Sequence, residues 1–172
     1  MISDKLSKAL NDQINAEYYS AYLYLSMSAY ADSVYLKGAE NWFFVQAQEE
    51  MIHGIHMYQY LLEREGIPAF AAIAQPPASF AGIEDAFTAV LAHEQKVTKG
   101  INDIATLAMQ ENDHACYQFM MWYVNEQVEE EANALDIVNK VKMINGDKSA
   151  LLALDNELGA RVFVNPFPLS NA

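Results

Sequence analysis

The sequence predicts an all-α fold: a four-helix bundle with a long crossover between helices two and three, followed by a short fifth helix. Apolar residues recur at spacings of three and four over long stretches, which is the period of an amphipathic α-helix. The 7 glycines and 5 prolines are few and cluster between those stretches, where they end helices. No stretch has the alternating pattern of a β-strand.

The first two helices are predicted from their end signals. Ser3 is a favourable N-cap for a helix over about 4–31. After a short break at 32–35, a second helix covers about 37–65, and the Gly and Pro of 66–68 end it. Because the break is short, these two helices are predicted to be antiparallel neighbours.

The connection over 67–82 contains three prolines and no helical period. The second helix, with about 28 residues, is ~42 Å long. A connection of about 16 extended residues reaches at most ~55 Å, so it can return along the whole bundle. We therefore expect helices two and three to be parallel, as in one known bundle topology.

The remaining helices follow similar signals. The third is predicted over about 83–111 and the fourth over about 115–144, with Asp113 as its N-cap. Asp147 caps the short fifth helix, over about 148–160.

A single domain is predicted over 1–172, with the bundle at about 4–144 and an irregular tail at 161–172. That tail is more apolar than expected of an exposed end. The N-terminus lacks a signal-peptide pattern, and no apolar run reaches the ~18 residues of a membrane span.

The composition restricts the possible partners. The chain has 10 basic and 23 acidic residues, a net charge of -13, which disfavours nucleic acid and favours cations. The only cysteine, Cys116, allows no intrachain disulfide and no cysteine-based metal site, and is typical of a small core residue. A reducing cytoplasm is the expected location.

The main candidate for chemistry is Glu50-x-x-His53, with a second acid at Glu49. Residues three apart lie on one helical face, so one metal ion can bind both side chains. Alone, this motif is weak and has a prior of about 10% as a metal site.

Each long helix also carries an acid near its middle: Glu17, Glu94 and the run 126–131 complete the set. In an antiparallel bundle such positions share one depth and could surround two divalent ions, as in di-iron carboxylate bundles. Gln127-x-x-Glu130 stands where a second Glu-x-x-His is expected. One imidazole among carboxylates suits Fe(II), Mn(II) or Zn(II).

Taken singly, several of these features are also typical of ordinary helical proteins. The acidic run alone is typical of a solvated face, and the tyrosines over 18–24 are typical of packing. His56 and His93 lie off the predicted ligand rows and are interpreted as structural or surface residues. The combination of four acids at one depth with His53 favours the metal site.

Over about residues 5–160 the chain resembles ferritin of the non-haem bacterial and archaeal type. The matching motifs are Gln13-Ile14-Asn15-Ala16-Glu17, Gln48-Glu49-Glu50-Met51-Ile52-His53, His93-Glu94 and Trp122-Tyr123-Val124-Asn125-Glu126-Gln127-Val128-Glu129-Glu130. The resemblance implies a di-iron ferroxidase centre. Its ligands would be Glu17, Glu50 and His53 at one iron, and Glu50, Glu94 and Glu130 at the other.

The resemblance implies further roles. Gln127 would hydrogen-bond beside the centre, and Tyr24 and Trp122 would be its neighbouring aromatic residues. A third iron site would use these acids: Glu49, Glu126, Glu129 and Glu130. The family forms hollow cages of twenty-four identical subunits, oxidises Fe(II) with O2 or peroxide, and stores a ferric mineral.

Several motifs of related proteins are absent from this chain, and their absence bears on iron entry and on the alternative functions. Animal ferritins line their threefold channel with acids near the start of helix four, but the aligned stretch 116–120 has none. Met51 falls where haem-binding bacterioferritins place their ligand, yet the second Glu-x-x-His of that family is absent, so no haem is expected. A rubrerythrin-like peroxidase is disfavoured because its Cys-x-x-Cys segment is missing, and a purely structural helical assembly would not oxidise Fe(II).

Overall fold

A computed structural model of the protein describes residues 1–167, in which there are five α-helices and no strand. The helices are α1 (Asp4–Ser33), α2 (Lys37–Glu63), α3 (Ile83–Gln110), α4 (His114–Ile144) and α5 (Lys148–Leu158). The predicted fold class is confirmed, and each helix ends within two residues of its predicted position. Within the predicted tail, 161–167 has neither helix nor strand, while 168–172 lies outside the described residues.

Side chains cap the helices where the sequence predicts caps. Ser3, Asp113 and Asp147 each accept a hydrogen bond from a backbone N–H two or three residues further on, at 2.8–3.2 Å. These bonds satisfy amides that have no partner inside the helix. The end of α2 differs in one detail, because Glu65 and not Gly66 has the left-handed conformation (φ 58°).

The crossover follows α1 along its length. Near the beginning of α1, Asn11 Nδ2 donates to the carbonyl of Ile67 (3.0 Å), and near its end Ser26 Oγ donates to the carbonyl of Pro77 (2.7 Å). The chain between α2 and α3 therefore returns to the end of the bundle where α2 began. As predicted, α2 and α3 run parallel.

Helix α5 docks at the beginning of α2. No side chain of the preceding loop caps α2; instead Ala39 N donates to Asp155 Oδ1 of α5 (2.8 Å). Gly38 allows this close approach, because a Cβ there would lie 1.5 Å from the carbonyl oxygen of Asp155.

Two apolar cores fill the bundle, with a polar layer between them. Along α1, Leu6, Leu10 and Ile14 belong to one core and Leu23 belongs to the other. Glu17 lies buried between the two groups. A buried carboxylate at this position costs free energy unless a proton or a cation compensates it.

Within residues 1–167, none of the helices combines the length and the apolar character that crossing a bilayer requires.

Candidate metal centre

The layer between the two cores collects polar side chains from all four long helices. Six of its buried members, each at most 5% exposed, are Glu17, Glu50, His53, Glu94, Gln127 and Glu130. All six are residues that the sequence indicated. The mid-helix acids therefore lie together in one buried layer of the bundle.

The most compact group is Glu17, Glu50 and His53, whose potential ligand atoms all lie within 4.8 Å of one another. His53 Nδ1 is 3.4 Å from Glu50 Oε2. Among the described residues, no N–H or hydroxyl group donates to Glu17 Oε2, and the neighbouring Glu50 carboxylate is the group with which Glu17 would share a proton. A buried carboxylate oxygen without a donor is costly, and a divalent ion would satisfy it. The donor set, two carboxylates and one imidazole, suits Fe(II), Mn(II) or Zn(II).

Glu94 lies in the same layer but is outside that compact group. The hydroxyl of Tyr24 donates to Glu94 Oε1, and Gln127 Nε2 donates to Glu94 Oε2 (3.1 Å). The structure thus puts Tyr24 and Gln127 beside Glu94 in the polar layer. Their two donors fix the orientation of the carboxylate.

Two glutamines that the sequence did not single out also bind the acids. Gln13 Nε2 donates to Glu17 Oε1 (2.8 Å), and Gln46 Nε2 donates to Glu130 Oε2 (3.0 Å). Gln13 stands four residues before Glu17, a spacing that could have revealed it. Gln46 stands four residues before Glu50 but bonds across the bundle to α4, which its position in the sequence does not reveal.

Burial is the main electrostatic feature of the layer. Burial, and then the charge of Glu50, raises the pKa of Glu17 well above its ordinary value. Burial, and then the charge of Glu94, raises the pKa of Glu50 and brings that of Glu130 to about 8. Burial also raises the pKa of Glu94, against the hydrogen bonds from Tyr24 and Gln127. Without metal the layer retains protons, and a metal ion would replace them.

Tyr24 is fully buried, and burial followed by the charge of Glu94 raises its pKa well above the ordinary value. The phenol therefore stays protonated and remains a donor. Trp122 of α4 is half-buried, with its ring centroid 5.4 Å from that of His53.

The two remaining histidines of this region have structural contacts, in line with their interpretation from the sequence. His93 Nε2 lies 2.7 Å from Ser20 Oγ, and His56 Nδ1 lies 2.8 Å from the hydroxyl of Tyr123. Burial lowers the pKa of each to about 4. Cys116 is buried in the core, and burial raises its pKa to about 11.

Three of the four acids of the implied third site lie on the flank of the layer, between α2 and α4, and the fourth, Glu130, belongs to the layer itself. Glu49 and Glu126 are half-buried and Glu129 is exposed. Burial raises the pKa of Glu49 and of Glu126. Arg161 of the tail pairs with Glu49, Nη2 to Oε2 at 2.5 Å. The sequence did not predict this arginine, because nothing periodic marks the tail.

Comparison with known proteins agrees with this architecture. The family model of the ferritin-like domain, Ferritin, matches residues 7–144. A bacterial non-heme ferritin of Staphylococcus aureus is 39% identical over 163 residues, covering 95% of this chain and 98% of the relative.

Two solved structures of Archaeoglobus fulgidus ferritin are also similar, each with 52% sequence identity. An engineered closed form has a TM-score of 0.94 and covers 95% of this chain and 100% of its own. The open-pore form has a TM-score of 0.93 and covers 94% of this chain and 100% of its own. The family model spans most of the chain, and both kinds of relative cover nearly all of it. The chain therefore belongs to the ferritin family and is of the non-haem type.

Proposed function

We propose that this iron-storage ferritin oxidises Fe(II) at a di-iron ferroxidase centre in its buried polar layer. The observation that supports this most is the compact group of Glu17, Glu50 and His53, in which no N–H or hydroxyl group among the described residues donates to Glu17 Oε2. Buried acids at this density are poorly accounted for by stability alone. They are well accounted for by binding of cations.

We assign the ligand roles as the family resemblance implies them. Glu17 and His53 bind the first ion, Glu94 and Glu130 bind the second, and Glu50 bridges the two. The bonds from Tyr24 and Gln127 to Glu94, and from Gln46 to Glu130, support the second position. Such donors orient a ligand before the metal arrives.

The chemistry balances with two iron ions. Each Fe(II) loses one electron to become Fe(III), and O2 takes both electrons with two protons to give H2O2. With peroxide as the oxidant, H2O2 takes both electrons with two protons to give two waters. A two-electron step avoids a free superoxide product. Hard carboxylate oxygens favour Fe(III) over Fe(II), which assists the oxidation.

Storage requires an assembly, and we propose a homo-oligomeric cage of twenty-four subunits, as the family membership suggests. The net charge of -13 would attract Fe(II) and help to nucleate the ferric mineral. The single buried Cys116 is compatible with a cytoplasmic location, which stays a prediction.

Stopped-flow Fe(II) oxidation tests the centre. Glu50→Ala and His53→Ala should both slow the fast phase, the first more severely, because Glu50 would touch both ions. Mutation of residues that only support a metal ligand lowers metal affinity or activity about 10–100-fold. Loss of the bridging ligand should therefore lower the oxidation rate at least as much. Glu63→Ala, at an exposed position of the same helix, is the control and should behave as the parent does.

Apo thermal melts accompany these rates. If Glu50→Ala oxidises Fe(II) at the parental rate, the proposed centre is wrong. If the rate falls only because the variant is unfolded, the residue is structural.

A further inference from the structure

Residues 161–167, which follow α5, fold back over the flank of the polar layer and are fixed at one end by Arg161. Its guanidinium pairs with Glu49, Nη2 to Oε2 at 2.5 Å, and lies 4.8 Å from the ring centroid of Trp42. Asn41 Nδ2 donates to the carbonyl of Arg161 (2.9 Å). The backbone carbonyl and the guanidinium of this arginine thus both have partners on α2, while Nη1 is buried without a hydrogen-bond partner among the described residues.

The same segment is fixed at 167. The ring of Phe167 stacks on that of His56 with centroids 3.6 Å apart, and packs against Trp122 at 4.3 Å. Glu49 and His56 lie seven residues apart on α2 and therefore share a face. Residues 161–167 form a strap along this face, with its charged end beside the acids.

Three acids, Glu49, Glu126 and Glu129, are called the flank acids below. Arg161 is paired with one of them, Glu49, and its side chain is 23% exposed. Arginine stays protonated at every physiological pH. It therefore supplies a permanent positive charge where the family resemblance implies a third iron.

We propose that Arg161 is the resident cation of the flank acids and keeps divalent metal out of them, so that high-affinity binding is confined to the two positions of the buried layer. This inference rests on the proposed di-iron centre. A divalent ion at Glu49 would have to break the ion pair and face the displaced guanidinium. Arg161 is a specificity-determining residue and does not itself touch the iron.

Zinc titration of the apo assembly at pH 7 tests this, because Zn(II) is redox-inert and binds the same ligand types. The parent should bind two Zn(II) per subunit in its high-affinity class. Arg161→Gln and Arg161→Met both remove the charge, and the second keeps an apolar stem against Trp42. Each should bind a third Zn(II), at least about tenfold more tightly than the parent does, which is the scale of a lost close charge pair.

Three variants serve as controls. Arg161→Lys keeps the positive charge and should retain the two-ion limit. The double variant Arg161→Gln/Glu49→Gln should lose the third ion again. Arg64→Gln removes another half-buried arginine pair, Arg64–Asp113, with side chains 22% and 14% exposed against 23% and 17% for Arg161–Glu49, and should leave the binding unchanged.

The inference is overturned if the parent already binds three Zn(II) with similar affinity, or if neither charge-removing variant gains a third ion. The variant Glu50→Ala separates these results from failure of the di-iron centre itself. If the two ions of the parent disappear in Glu50→Ala, the centre stands whatever Arg161 does. If they persist, the centre is wrong.

Discussion

Replacing Glu130 by Gln should stabilise the metal-free protein, by an amount that grows as the pH rises from about 5 to about 8. Glu130 is 5% exposed, and burial, with the charge of Glu94 as the next cause, raises its pKa to about 8. Gln has nearly the same shape, and its carbonyl oxygen can still accept the hydrogen bond from Gln46. The substitution therefore removes a buried charge with little change in packing.

The sign and the size of this stability change follow from the difference between the pKa of Glu130 in the folded and in the unfolded state. Below the unfolded pKa of 4.5, Glu130 is protonated in both states and contributes nothing. As the pH rises towards the folded pKa of about 8, the unfolded state ionises first and stability is lost. Above that pH the folded state bears the full free-energy cost of the buried charge. With 1.36 kcal/mol per pKa unit, it is roughly 5 kcal/mol, an upper value because Glu94 shares the effect.

Thermal melts of EDTA-treated protein at pH 5, 7 and 9 measure this. At 1 kcal/mol for every 2–4 °C, Glu130→Gln should melt on the order of 10 °C above the parent at pH 9, with little difference at pH 5. The control Glu129→Gln removes the same formal charge from an exposed neighbour and should shift little at either pH. An equal gain at pH 5 and pH 9, or none at pH 9, would refute the reasoning.

Two further predictions concern assembly and haem. Size-exclusion chromatography over a range of salt concentrations should show a particle of several hundred kilodaltons; a monomer or dimer at every salt concentration would contradict the cage. Protein purified with haem supplied should show no stoichiometric Soret band, although Met51 is 42% exposed and lines an apolar depression with Tyr22 and Leu25. A band that disappears in Met51→Leu would assign the protein to the haem-binding class.

Local signals in the sequence predicted the helices and their order. The caps Ser3, Asp113 and Asp147 act within three residues of their own position, so their function is readable from the chain alone. The crossover followed from two lengths, that of α2 and that of the connection. Glu17, Glu94 and the run 126–131 were indicated because antiparallel helices place their midpoints at one depth, and the family resemblance selected Glu130 within that run.

Contacts between distant segments could not be predicted in this way. Gln46 has the same spacing to Glu50 as Gln13 has to Glu17, yet its amide bonds to Glu130 on another helix. Arg161 follows α5 in a segment without periodicity, and its partner Glu49 is far away in sequence. The sequence pattern marked Glu49 as an acid beside the centre, but it did not reveal the cation that pairs with it.

Anomalous diffraction at the iron edge, after Fe(II) is soaked into crystals under anaerobic conditions, is the decisive measurement for the di-iron centre. Two iron peaks per subunit should lie between the four long helices, with Glu50 coordinating both. Glu17 and His53 should coordinate one of them, and Glu94 and Glu130 the other. Iron found only on surface acids, or no peak among these five side chains, would show that the buried layer is not the site of oxidation.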